Sequence, residues 1–387
     1  MSEWQTLPLE DCMAAIIDYR GKSPEKTTFG VPLVTAKIVK GGRIEKPEEF
    51  IAEADFDDWM RRGMPKPGDI VMTTEAPLGE VAQLDGRKVA LAQRVITLRG
   101  KPDVLDNTFL KFLLQSNPVQ EELRSRGTGT TVVGIRQSEL RKVSLTLPPL
   151  AEQKAIAAVL GALDDKIECN RRMNATLEAM ARALFQSWFV DLDSIPHGWE
   201  VRSLDQIAHY LNGLALQKFP PADGATLPVI KIAQLRKGDS IGADQCSAGI
   251  APEYIVGDGD VIFSWSGSLE VELWCGGPGA LNQHLFKVTS HEFPKWFCYL
   301  WTRHHLGEFR HIAAGKATTM GHIQRKHLTA AKALVPPRPL LETMTRAMEP
   351  LVGKIIANRI QSRTLATLRD TLLPKLLSGE LSVAANV

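Results

Sequence analysis

Leu147-Pro148-Pro149 returns as Val335-Pro336-Pro337, an offset of 335 − 147 = 188, and each copy stands just ahead of a long stretch of helically spaced apolar residues. The same offset carries Lys166 onto Lys354, Asn170 onto Asn358 and Arg171 onto Arg359, while Leu177 and Leu184 return as Leu365 and Leu372. Upstream, Gly68-Asp69-Ile70-Val71 returns as Gly259-Asp260-Val261-Ile262, and Ala90-Leu91-Ala92-Gln93 as Ala280-Leu281-Asn282-Gln283. Trp4 and Leu7 are echoed by Trp199 and Ser203-Leu204, after the punctuating Ile195-Pro196-His197-Gly198. Pro-Pro and Gly-Asp are ordinary turn chemistry and recur singly in unrelated chains. Their recurrence in one order, with the helix phase preserved, makes this a tandem duplication.

Each half opens with short β-branched runs such as 31–39, 69–73 and 89–98, bounded by Gly, Pro and Asp as strands are by turns. The stretch 107–124 instead places Phe109, Leu110, Leu113 and Leu114 on a helical stripe. A mixed α/β domain therefore begins each half. After Pro148-Pro149 the pattern changes to Ile156, Leu160, Leu163, Ile167, Asn170, Leu177 and Leu184, a heptad seam. The second copy runs Met344, Met348, Leu351, Ile355, Asn358, Leu365 and Leu372. One helix over 152–189 spans on the order of 57 Å at 1.5 Å per residue, and a chain that goes out and back makes the two helices antiparallel. Asn170 and Asn358 stand where apolar residues are expected, either to fix the register or as a solvated break in the stripe. Pro350 predicts that the second helix starts or bends near Leu351. The expected organisation is a mixed α/β fold with domains at 1–149 and 195–337, of tandem-repeat origin, separated by two long antiparallel heptad helices at 150–190 and 338–380.

With 387 residues, 44% hydrophobic and 23% charged, the chain has the profile of a soluble globular protein of two or three domains. A net charge of only +2 means that any basic surface must be local. Cys12, Cys169, Cys246, Cys275 and Cys298 are scattered and odd in number, which disfavours a disulfide framework or a zinc cluster and fits a reducing cytoplasm. The first eight residues carry Glu3 and no apolar core, and no run approaches a membrane span, so secretion and membrane insertion are not expected.

Catalytic motifs do not stand out. Gly127-Thr128-Gly129-Thr130-Thr131 lacks the lysine of a phosphate loop and reads as a flexible turn. Asn117-Pro118-Val119 lacks the second proline and aromatic of an amino-methyltransferase motif and reads as a helix end. His304, His305, His311, His322 and His327 have no companion ligands at a recognised spacing and read as surface or core histidines. Asp69 and Asp260 occupy equivalent places after Gly and are assigned structural roles.

Several of these segments carry a family resemblance. Leu147-Pro148-Pro149-Leu150-Ala151-Glu152-Gln153, Pro196-His197-Gly198-Trp199-Glu200 and Leu372-Leu373-Pro374-Lys375-Leu376-Leu377-Ser378-Gly379-Glu380 resemble specificity subunits of type I restriction-modification systems. Pro67-Gly68-Asp69-Ile70-Val71 and Leu281-Asn282-Gln283-His284-Leu285-Phe286 are also similar, whereas Pro336-Pro337-Arg338-Pro339-Leu340-Leu341-Glu342 departs from the family's usual Pro-Pro-Leu-x-Glu-Gln. The resemblance implies two target-recognition domains, each reading half of a split site in double-stranded DNA, with the helices as spacer and as docking platform for two modification subunits. It implies no cofactor in this chain. S-adenosylmethionine, ATP and Mg would serve the modification and restriction (motor-nuclease) subunits. The rival readings are a stand-alone DNA methyltransferase or nuclease with divergent motifs, and a coiled-coil adaptor without sequence-specific DNA binding.

Reading duplex DNA needs Arg, Lys, Asn or Gln at base edges, and Lys, Arg, Ser or Thr at phosphates. Such residues cluster in matching segments. In the first domain these are Thr73, Thr74, Arg94, Thr128, Thr130, Arg136 and Gln137; in the second they are Ser264, Ser266, His284, Lys316, Thr318, Thr319, Gln324 and Arg325.

Overall fold

The β-branched run Ile70–Thr74 is buried at every position, as a central strand covered on both faces must be. In the computed structural model, which describes residues 4–221, 224–315 and 321–383, this run is β2 of a four-stranded antiparallel sheet. The other strands are β1 (Met13–Asp18), β3 (Leu78–Gln83) and β4 (Val95–Gly100), in the order β1-β4-β2-β3. Helix Asn107–Gln115 buries Phe109, Leu110, Phe112, Leu113 and Leu114 in the same core. The Asp106 side chain starts this helix by accepting the Phe109 N–H. The segment read as one stripe is two helices: Ser116 closes the first, and Asn117–Ser125 begins with Pro118 in its opening turn. A three-stranded sheet, Phe50–Ile51, Val31–Val34 and Ala90–Leu91, completes this domain.

The second domain repeats the design. Strands β5 (His209–Asn212), β6 (Val261–Ser264), β7 (Val271–Leu273) and β8 (Leu285–Thr289) are ordered β5-β8-β6-β7. Val95 lies opposite Thr73 in the first sheet, and Leu285 lies opposite Ser264 in the second. Val34 pairs in parallel with Leu91, and Ile230 with Leu281. The sequence repeat is thus a repeat of hydrogen-bond register. The cores differ in chemistry, because the second is built on aromatic rings. Phe189 lies 5.5 Å from Trp301, 5.6 Å from Trp199 and 5.7 Å from Phe297, centroid to centroid.

Two helices of 40 residues, Leu150–Phe189 and Arg338–Leu377, follow the two domains. The chain divides into two compact units, residues 1–165 with 366–387 and residues 166–365, so each unit holds a piece of both helices. The second helix begins at Arg338 rather than near Leu351. Pro350 is tolerated because it and Arg346, whose carbonyl loses its helical partner, both lie on the exposed face, within reach of water.

The apolar stripe also serves differently from a plain heptad seam. In the first unit Ile156, Ala157 and Leu160 enter the domain core together with Leu376, and Leu372 packs against it. In the second unit Phe185, Phe189, Met344, Met348 and Ile355 enter the aromatic core, with Leu177, Leu184 and Leu351 against its edge. Leu163, Ile167 and Leu365, nearer the middle, are only half-buried. There the contact is polar. Asn170 Nδ2 donates to Gln361 Oε1 at 2.9 Å, Asn358 Nδ2 donates to Asn174 Oδ1 at 2.9 Å, and Asn174 Nδ2 donates to the Ile355 carbonyl at 3.2 Å. Asn170 and Asn358 are buried, so the solvated-break alternative is set aside. Increasing numbers on one helix meet decreasing numbers on the other, which makes the pairing antiparallel. In the first unit Asp164 of the first helix accepts from Lys111 of the domain and, at 2.6 Å, from Arg369 of the second helix.

Two stability experiments follow from these polar contacts. Asn358→Ala strands Asn174 and lowers the unfolding free energy by about 1–3 kcal/mol, whereas Gln361→Ala, at an exposed position, changes it by less than about 0.5 kcal/mol; urea denaturation measures both. Asp164→Ala leaves Lys111 without its counter-charge and Arg369 with only the exposed Asp370, and lowers stability by about 3 kcal/mol. Asp370→Ala, which removes only an exposed partner of Arg369, costs about 0–1 kcal/mol in the same assay.

Candidate nucleic-acid interface

Strand β2 ends at Thr74, and segment 127–136 returns to that end. Thr128 and Gly134 exchange backbone hydrogen bonds of 2.8 and 2.9 Å, and the Ile135 N–H donates to the Thr74 carbonyl at 2.9 Å. Gly129 holds φ +113°, and a Cβ there would lie 2.1 Å from the Val132 carbonyl oxygen, so the turn closes on itself and requires glycine. A third segment joins the others when the Thr74 N–H donates to the Arg94 carbonyl at 3.0 Å. Around strand β6 the same three segments meet. The Ile323 N–H donates to the Trp265 carbonyl at 3.0 Å, the Gly267 N–H to Gly321 at 2.8 Å, and the Trp265 N–H to His284 at 3.3 Å.

The side chains repeat the pattern with different chemistry. Glu75 and Ser266 both follow the strand end and bridge the returning segment, at Gly134 and His322 respectively. Arg94 and His284 both precede the next strand. Arg94 Nε binds Glu75 Oε1 at 2.8 Å, and His284 Nδ1 shares a hydrogen bond of 2.9 Å with Ser266 Oγ. Trp265 covers this second site, its ring 6.0 Å from His284 and its Nε1 donating to Asn212 Oδ1 at 2.9 Å.

In the first domain the pair opens onto a cleft of 450 Å³ lined by Arg20, Gln93, Thr128 and Arg136 among others. Arg20 Nη2 fixes one wall by donating to the Ile135 carbonyl at 2.7 Å. A neighbouring cleft of 350 Å³ shares Gln93 and Arg94 and adds Lys26 and Lys37, which pair with Glu49 at 2.9 Å and Glu48 at 2.5 Å. Arginines and lysines thus gather at these clefts together with Glu75 and Glu49. Comparing the two repeats position by position could have found Glu75, opposite Ser266. No pattern in the sequence singles out Arg20, Lys26 or Lys37, which reach the cleft only through tertiary folding.

The residues expected at DNA divide sharply. Arg94, Thr128, Thr130, Arg136 and Gln324 are exposed, and Gln137 and His284 are half-buried. Arg325 is exposed but engaged, donating to the Tyr210 carbonyl at 3.3 Å with its guanidinium 5.7 Å from the Phe286 ring. Thr73, Thr74 and Ser264 are corrected, because all three are buried inside their sheets. Thr73 Oγ1 accepts the Glu80 N–H at 2.9 Å, and Ser264 Oγ donates to the Ser268 carbonyl at 2.5 Å and accepts the Glu270 N–H at 2.9 Å. Ser266 is buried as well, and its hydroxyl positions His284 rather than reaching outward. Lys316, Thr318 and Thr319 lie outside the described residues.

The acidic, thiol and imidazole groups away from the clefts have structural surroundings. Asp69 is buried under a two-pronged contact from Arg99, at 2.8 and 2.7 Å, and Asp260 is bridged by Lys287 at 2.9 Å. Burial raises the thiols of Cys12, Cys246, Cys275 and Cys298, the last to about 12, which suppresses the thiolate a nucleophile needs. His304 sits against Phe185 and Trp301, and burial lowers its imidazole pKa. The His305 ring is tied to the Lys332 carbonyl through Nε2 at 2.8 Å.

Known proteins place this arrangement in context. Residues 1–179 match the family described as the type I restriction modification DNA specificity domain. The type I restriction enzyme MjaIX specificity subunit of Methanocaldococcus jannaschii is 29% identical over 382 residues, spanning 91% of this chain and 87% of that protein. The HindI specificity subunit of Haemophilus influenzae is 21% identical over 359 residues, covering 70% of this chain and 77% of that one. The crystal structure of a type I restriction-modification S subunit from M. genitalium shares the fold, with a TM-score of 0.57 at 18% identity over 97% of this chain and 96% of that one. The chain is similar over most of its length to specificity subunits of type I restriction-modification systems, and the match to the DNA specificity domain covers residues 1–179.

Proposed function

We propose that this chain is the DNA-recognition subunit of a type I restriction-modification complex, with each globular domain reading one half of a bipartite, asymmetric site in duplex DNA. The observation that carries the reading is the duplicated site. The same three backbone segments are tied together twice by equivalent hydrogen bonds, yet they present Glu75 and Arg94 in one domain and Ser266 and His284 in the other. Identical scaffolds with different side chains are what two different half-sites require. A coiled-coil adaptor has no need of such clefts.

In this reading the long helices serve as the spacer and as the docking platform for two modification subunits. Methyl transfer, translocation and cleavage belong to the modification and restriction subunits, and this chain supplies recognition alone. The complex works in the cytoplasm, on the cell's own and incoming DNA; among the described residues no helix is long and apolar enough to cross a membrane.

Reconstitution with the modification subunits of its system tests the proposal. The complex binds one bipartite sequence selectively, and its affinity for random duplexes falls more steeply with salt than its affinity for that sequence. Equal affinity for all duplexes would sink the reading. Exchanging residues 195–335 for the matching part of another family member changes one half-site in a binding selection and leaves the other intact. Lys26→Ala and Lys37→Ala each weaken binding uniformly across sequences and reduce the salt slope by about 1, as expected of single phosphate contacts.

A further inference from the structure

The ion pair at the head of the first cleft is built in a way that the fold does not need. Arg94 and Glu75 are 55% and 40% exposed and belong to neither the sheet nor a buried network. Exposed ion pairs of this kind contribute little to stability. Their backbone is nonetheless fixed: the Arg94 carbonyl accepts the Thr74 N–H, and Glu75, next to Thr74, is bridged to Gly134 of the returning segment. The contact uses Arg94 Nε and one carboxylate oxygen of Glu75. Among the described residues neither side chain has another partner, so the terminal nitrogens of the guanidinium and the second carboxylate oxygen remain to meet a ligand.

Side by side, these groups match the two halves of a single base pair. In the major groove guanine offers the O6 and N7 acceptors, which suit the paired donors of an arginine, and the partner cytosine offers the N4 amino donor, which suits a carboxylate. We propose that Glu75 and Arg94 together read one G·C pair in the half-site of the first domain, Arg94 on the guanine and Glu75 on the cytosine. This rests on the recognition-subunit reading and adds to it a named pair of specificity residues. At the equivalent place in the second domain, Ser266 is buried holding His284, and neither carries a fork of donors. That position therefore does not select G·C by this contact, and the two half-sites differ there.

The proposal concerns one base pair, so the test is a selection from randomised half-sites using the complex reconstituted with its modification subunits. The wild-type complex retains an invariant G·C pair in the first half-site. Arg94→Ala lowers discrimination at that one pair by roughly ten- to hundred-fold while the other positions hold. Glu75→Gln, which keeps the size but removes the charge, relaxes the same pair and no other. Arg94→Gln shifts the preference there toward A·T, since glutamine matches adenine, and it provides a second variant should the alanine form assemble poorly. An unchanged preference at every position in Arg94→Ala or Arg94→Gln overturns the proposal and leaves the recognition reading standing. A wild-type complex without any sequence preference overturns the recognition reading, and this proposal with it.

Discussion

Neither long helix could stand on its own stripe. Helices of 40 residues with half-buried leucines and three buried asparagines near the middle do not bury enough apolar surface between themselves, and the stabilisation comes from tertiary packing. Each end is therefore seated in a domain core: Ile156 and Leu160 with Leu376 in the first unit, Phe185 and Phe189 with Met344 and Met348 in the second. Because each core takes the end of one helix and the beginning of the other, neither helix can be treated as a separable part. The antiparallel pairing, the polar middle and the place of Asp164 between Lys111 and Arg369 follow from that seating.

The same economy governs the duplicated loop sites. A loop that offers side chains to a ligand must hold them in place, and here the loops are held by backbone hydrogen bonds to the end of a fully buried strand. Side chains can then differ between the repeats without disturbing the frame. Sequence-specific readout needs that separation, since residues that determine specificity must be free to change.

Much of this was legible in the sequence. The repeat was, because Pro-Pro, Gly-Asp and the helix phase recur in order, and so were the two long helices and the mixed α/β domains. Pro350 misled because a proline is tolerated when it and the residue four before it face solvent, and the stripe alone did not establish that. Thr73 and Ser264 were misplaced for a related reason. A strand buried on both faces has no alternation to show which way a hydroxyl points. Arg20, Lys26 and Lys37 were invisible because they converge on Arg94 from distant stretches of chain. Asn174, the partner of Asn358, lies off the seam as read, and only the contact between the two helices reveals it.

The aromatic build of the second core has a spectroscopic consequence. Of the eight tryptophans, only Trp4 and Trp59 belong to the first unit, while Trp188, Trp199, Trp265, Trp274, Trp296 and Trp301 belong to the second. Intrinsic emission from the whole chain is dominated by one half. Unfolding followed by tryptophan emission reports chiefly on the second unit, whereas far-ultraviolet circular dichroism sees the helices and sheets of both. If the halves lose structure at different temperatures, the two signals separate, and the difference dates the opening of the first unit without a label.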